Sequence, residues 1–193
     1  MKVLKIFFLV LIIGILFFSC KHEDKFDGKS YSAEFRGYAK EYMSGLKSVL
    51  MKNMKEGGPL KAVSVCSDTA SDLTRIYSAK LKIKIKRISY KNRNIKNFPD
   101  KFEKEALNKF AELYSQNELN TETEIIKKVN VNGKEVVRYI KPIIIEAPCL
   151  NCHGDREILP EVSERIKQKY PNDKATGYKI GDLRGAISIT KEI

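Results

Sequence analysis

Residues 124–145, EIIKKVNVNGKEVVRYIKPIII, decide the fold class. Two runs rich in β-branched residues flank Asn132-Gly133, the pair that best tolerates the positive φ angles of a tight hairpin turn. The stretch predicts two antiparallel strands. Upstream, Tyr31, Phe35, Tyr38, Tyr42, Leu46, Val49 and Leu50 recur at three- and four-residue spacing, which predicts an amphipathic helix. Gly57-Gly58-Pro59 ends that helix. Ala62, Cys66, Ala70, Leu73 and Tyr77 then mark one face of a second. Both stripes read as core. Leu81, Ile83 and Ile85 alternate with lysines as in a half-buried strand. Residues 92–98 read as a loop. Pro99-Asp100 opens a helix, with Glu103 spaced for a capping box and Phe102, Leu107, Phe110 and Tyr114 on its buried face. Beyond the hairpin come a short helix over 161–169, loops at Pro171-Asn172 and Gly177, a turn over 181–185 and a last strand over 186–190. Helices first and an antiparallel sheet later predict a single α+β domain.

The 193 residues fit one domain, and 42% apolar content excludes a disordered chain. A chain of this length buries enough surface to fold without disulfides. Lys2 and Lys5 precede an unbroken apolar run from Ile6 to Phe18, followed by Ser19 and Cys20. The run is shorter than the ~20 residues of a membrane span. Its flanks are those of an export signal. The ending Leu16-Phe17-Phe18-Ser19-Cys20 resembles a bacterial lipoprotein signal, with Cys20 the acylated residue. The expected organisation is a signal over 1–19, a polar tether over 20–30 and the domain over 31–193. The rest of the chain then works outside the cytoplasm, in the periplasm or at a cell-envelope membrane surface. The formal charge of +12 therefore points to anionic headgroups, an acidic protein partner or a plain solvated surface, and not to nucleic acid.

Cys149-Leu150-Asn151-Cys152-His153 carries the chemistry. Cys-x-x-Cys-His is the attachment pattern of c-type haem. Thiols one turn apart reach the two vinyl groups of one porphyrin, and the adjacent histidine comes under the iron. One covalent haem c is expected, with His153 as an axial ligand. A thioredoxin-like pair needs a βαβ setting that the order of elements does not offer. A structural zinc site needs four ligands, and the remaining candidates are few. A disulfide across two residues is strained.

With Cys20 lipidated and Cys149 and Cys152 bonded to haem, Cys66 is left as a free thiol. Either it is a small hydrophobe on the helix face, or its thiolate is the second axial ligand. His22 lies in the tether, and Met43, Met51 and Met54 flank a helix with packing duties of its own.

Several ordered motifs resemble one family. They are Ala62-Val63-Ser64-Val65-Cys66; Arg87-Ile88-Ser89 with Arg93-Asn94, Asn97 and Pro99-Asp100; Cys149 to Gly154; Tyr170-Pro171, Asp173 and Ala175 to Tyr178; and Gly181 to Ala186. The family is that of exported bacterial c-type haem proteins with a PAS-like fold, long grouped as a domain of unknown function and often joined to histidine kinases. Ile95 and Phe102 depart from its pattern, which has Pro and Trp there. The resemblance runs from about Gly57 onward. It implies a PAS-like domain in which Cys149 and Cys152 hold the haem, His153 lies on one side of the iron and Cys66 on the other. Arg93 and Arg184 are candidates to bind the haem propionates through forked hydrogen bonds, or are structural arginines. The expected function is a lipid-anchored redox or small-gas sensor module acting on a separate redox or signalling partner. The alternative is a periplasmic electron-transfer cytochrome. An enzyme of peroxidase type needs an open sixth site, which Cys66 ligation removes.

Overall fold

The structure is a computed structural model that describes residues 26–193. Residues 1–19, expected to be an export signal, and Cys20 and His22 lie outside the described residues. The first helix, α1 (Gly28–Leu81), starts three residues before Tyr31, because the Asp27 side chain caps the amides of Lys29 and Ser30. Gly57 and Gly58 leave helical geometry, and Gly58 has φ of +66°, which a side chain resists. Pro59 restarts the helix where its missing N–H costs nothing. The predicted break is therefore a sharp joint. The two arms fold back on each other: Glu41 pairs with Lys80, the Tyr42 hydroxyl lies 2.8 Å from that of Thr74, and Tyr42 meets the edge of Tyr77.

Lys82 takes a left-handed conformation (φ 53°) that stops α1 after Leu81. Leu81 thus ends a helix instead of opening a strand, and β1 covers Lys84–Ile88. Then come α2 (Lys101–Ser115), β2 (Ile125–Val131), β3 (Lys134–Ile144), α3 (Leu150–His153), α4 (Pro160–Lys169) and β4 (Leu183–Glu192). Single 3-10 turns lie at Ile95–Asn97 and Ala147–Cys149. Asn132 (φ 54°) and Gly133 (φ 83°) make the predicted hairpin turn between β2 and β3. The sheet is wholly antiparallel, in the order β1-β4-β3-β2. These helices and strands make the α+β fold that was expected. Gly185, with φ of +149°, lies where a Cβ would strike the Ile88 carbonyl, so only glycine lets β4 approach β1 there.

One face of the sheet packs Ile85, Tyr139, Ile187 and Ile189 against Phe35, Ala39 and Tyr42 of α1. The other packs Ile88, Ile140 and Ala186 against Ala106, Leu107 and Phe110 of α2. The Asp100–Glu103 capping box forms as expected. Tyr114, expected on the buried face, is 40% exposed, and its hydroxyl donates to Asp182 (3.1 Å). At the end of α2 the polar tip of the ring takes an outer partner. A smaller cluster of Val63, Val162 and Ile166 joins α4 to the second arm of α1, with Cys152 packed against it. Among the described residues no helix is long and apolar enough to cross a membrane.

Candidate functional site

The sequence stripes on α1 are only partly core. Near the joint, the residues facing inward, among them Leu50, Met54, Ala62, Cys66 and Leu73, line a cavity of about 1210 Å³. Pockets for drug-sized ligands run to ~1,000 Å³, and this one has room for a larger body. Its floor is the sheet and its far wall the loop and turn that carry the cysteine motif. Cys149, Cys152, His153, Cys66, Arg93 and Arg184 all line it. Six residues spread over more than a hundred positions thus meet around one space.

The motif sits at the end of β3, where the 3-10 turn runs into α3, so that Cys149 and Cys152 are one turn apart. Cys66, Cys149 and Cys152 are all free, half-buried thiols. Burial pushes the Cys152 thiol up, with Arg93 opposing and the two other cysteines adding to the rise. Burial also pushes up Cys66, and Arg87 pulls it back.

His153 has a defined tautomer. Its Nδ1 lies 2.7 Å from the Ala175 carbonyl, which only accepts, so Nδ1–H is the donor. Burial holds the imidazole well below its ordinary pKa of 6.5, and Arg93 and Arg184 add to this while the Ala175 bond opposes it. The ring is therefore neutral, with the Nε2 lone pair left for an acceptor partner such as a metal. Such an outer bond orients a ligating histidine and raises its basicity. Two backbone bonds, from Gly177 to the Gly154 carbonyl and from Tyr178 to the His153 carbonyl, fasten the same loop to the motif.

Arg93 is more engaged than expected of a ligand-binding residue. Its side chain, 14% exposed, pairs with Asp173 (3.1 Å, 8% exposed) and donates to the Cys152 carbonyl (2.5 Å). It clamps its own loop to α3 and to the loop of Asp173. Its Nε is buried with no partner. Arg184 donates to the Lys91 carbonyl (3.0 Å) and lies over the Tyr178 ring.

Sequence reading missed Arg87 as a site residue. It alternates with Ile83 and Ile85 along the chain and stands opposite Ile187 in the sheet, so it lies on the α1 face, where it lines the cavity. Among the described residues it has no ion pair and no side-chain hydrogen bond. Its place in the alternation leading out of β1 was the available signal.

The Tll0287-like family model matches residues 29–191. No curated protein matches. Among solved structures, the crystal structure of the cyanobacterial heme-protein Tll0287 is similar, with 26% identity and a TM-score of 0.60 over 82% of this chain and 95% of that one. The chain belongs to the Tll0287-like family.

Proposed function

We propose that the chain is an exported, lipid-anchored c-type haem-binding protein that acts as a redox or small-gas sensor module with Cys/His axial ligation. The observation that carries the reading is the convergence of Cys149, Cys152, His153 and Cys66 on one cavity of macrocycle size. Likeness to a haem protein supports haem binding. The residues fit the group. Two free thiols stand one turn apart, a neutral imidazole keeps Nε2 unused, and a buried arginine nitrogen lacks a partner. Bound haem supplies an iron with redox and small-ligand chemistry.

The chain's own residues do the rest. Cys149 and Cys152 anchor the macrocycle, and Ala175 holds His153 in the tautomer that presents Nε2 to the iron. Cys66 offers sulfur from the second arm of α1. The apolar lining from α1 and the sheet excludes water. As an iron ligand, Cys66 would favour the oxidised state through its thiolate charge and would be the residue to give way to a small ligand. The apolar Ile6–Phe18 run, followed by Ser19 and Cys20, supports export and anchoring.

Absorption spectra of the full chain made with haem-attachment machinery, oxidised, reduced and reduced under CO, test this. We expect covalent haem, a low-spin oxidised form with thiolate character, and CO binding on reduction. Cys66→Ala should keep the covalent haem, change the oxidised spectrum and raise the potential. An unchanged oxidised spectrum removes Cys66 from the site. A reduced form that ignores CO makes the protein an electron carrier, and absence of covalent haem overturns the reading.

A further inference from the structure

We propose that Arg87, Arg93 and Arg184 form a wall that binds two carboxylates of one ligand, the propionates of the macrocycle, with Arg87 making the principal contact. The proposal rests on the haem reading above and adds a recognition role to a residue that had none.

The argument is one of charge. The three guanidiniums come from β1, the loop after it and β4, and they line the same cavity. Among the described residues, the carboxylate within ion-pair distance of any of them is Asp173, and Arg93 holds it. Two positive charges are left without a counterion in a partly buried place. Arginine cannot shed its proton to escape this. Burial, with repulsion from Arg93 and Arg87, already holds Arg184 below its ordinary value. An anion carrying two charges relieves the wall.

Shape narrows the choice. Arg184 is engaged by the Lys91 carbonyl and Arg93 by Asp173 and Cys152, whereas the fork of Arg87 is uncommitted. Arg87 stands across from Ile187 on the cavity floor, with Ile143 further along the same face and Lys141, whose amine is held by the Thr121 carbonyl, on the far side of Ile187. The apolar strip of Ile187 and Ile143, edged by a free guanidinium, suits a flat apolar body with carboxylates on its rim. Guanidinium and carboxylate match in a bidentate fork. Free phosphate shares the charge but not the apolar body. The rival role for Arg87 is at the Cys66 sulfur, which its charge also reaches.

The test uses the haem-loaded full chain as wild type, Arg87→Gln and Arg87→Lys. Potentials are read from about pH 5 to 8, with resonance Raman spectra of the propionate bending and iron–sulfur stretching bands. Removing the cation should lower the reduced-to-oxidised ratio at fixed potential about tenfold, which is ~59 mV for one electron. It should also make the potential pH-dependent, because a carboxylate without its guanidinium takes up a proton more readily. Arg87→Lys should recover most of the potential. The propionate band should move in Arg87→Gln while the iron–sulfur band stays, and added inorganic phosphate should change neither in wild type.

An unmoved potential, an iron–sulfur shift with an unmoved propionate band, or a response to phosphate overturns the proposal. If Arg87→Gln does not accumulate, Arg87→Lys decides alone, since losing the fork must still move the propionate band. Wild type without covalent haem defeats the underlying reading. Haem-loaded wild type with an unaltered Arg87→Gln defeats only the assignment of Arg87.

Discussion

The two faces of the sheet each carry a cluster of buried charge, and they differ in whether the chain completes it. On the α2 face, Glu103 is fully buried, and its two oxygens accept from the Asp100 amide, Lys86, Arg138 and Ser188 at 2.6 to 3.1 Å. A carboxylate has about four lone-pair sites, and all are filled. Two carboxylates, Asp100 and Glu103, face two cations. Both carboxylates are met by one terminal nitrogen of Arg138, whose buried Nε has no partner and whose guanidinium lies over the ring of Phe102. On the α1 face, three guanidiniums share one carboxylate, and around them lies open space. A charged cluster that closes on itself holds the fold together. One that does not close is a place for something else.

The sharpest way to break that contrast is Glu103→Leu. It strands Arg138, Lys86 and Ser188 on the closed face and should cost about 3–5 kcal/mol, read as a shift in the urea midpoint at constant slope. A cost under about 1 kcal/mol would mean that the cluster is ornamental. The matching change on the open face, Arg184→Gln, should cost only about 1 kcal/mol, the worth of its bond to the Lys91 carbonyl, with relief of repulsion offsetting part of it. An equal cost on both faces would make the arginine wall architecture too.

The smallest expected effect isolates charge from capping. Asn caps a helix as well as Asp, so Asp100→Asn mainly removes the ion pair with Arg138 (2.8 Å). Burial pushes the Asp100 carboxyl up, but Arg138 and the Glu103 amide outweigh it and hold it below its ordinary 3.8. The folded form therefore gains stability above the unfolded pKa of about 4 and loses it as pH falls through the lower folded value. After solvent screening the gain is at most ~1 kcal/mol. Stability curves of wild type and Asp100→Asn should be separated at neutral pH and converge in acid; curves that stay parallel would refute the assignment.

What was legible in the sequence was local. The turn at Asn132-Gly133, the joint at Gly57-Gly58 and the box at Asp100–Glu103 each depend on a few adjacent residues, and each formed as read. Helical periodicity identified the inward face of α1. It did not distinguish a face that meets protein from one that meets a cavity, because apolar lining and core use the same residues. Cys-x-x-Cys-His was legible because its residues follow one another directly in the chain. The partners of its neighbours were not: Asp173 reaches Arg93 and Ala175 reaches His153 only through the tertiary fold. Arg87 stayed hidden for the same reason, since lacking a partner is a property of the folded chain.

Strand order carries a consequence for how the site comes into being. β1 finds its neighbour in β4, about a hundred residues further along the chain, while β2 and β3 pair at once through a two-residue turn. Loop closure over such a distance is slow. The floor on which Arg87 stands beside Ile187 does not exist until β4 has been synthesised and has slid between β1 and β3. The helical hairpin and the cysteine motif are made earlier, so during synthesis the thiols wait beside a half-built chamber.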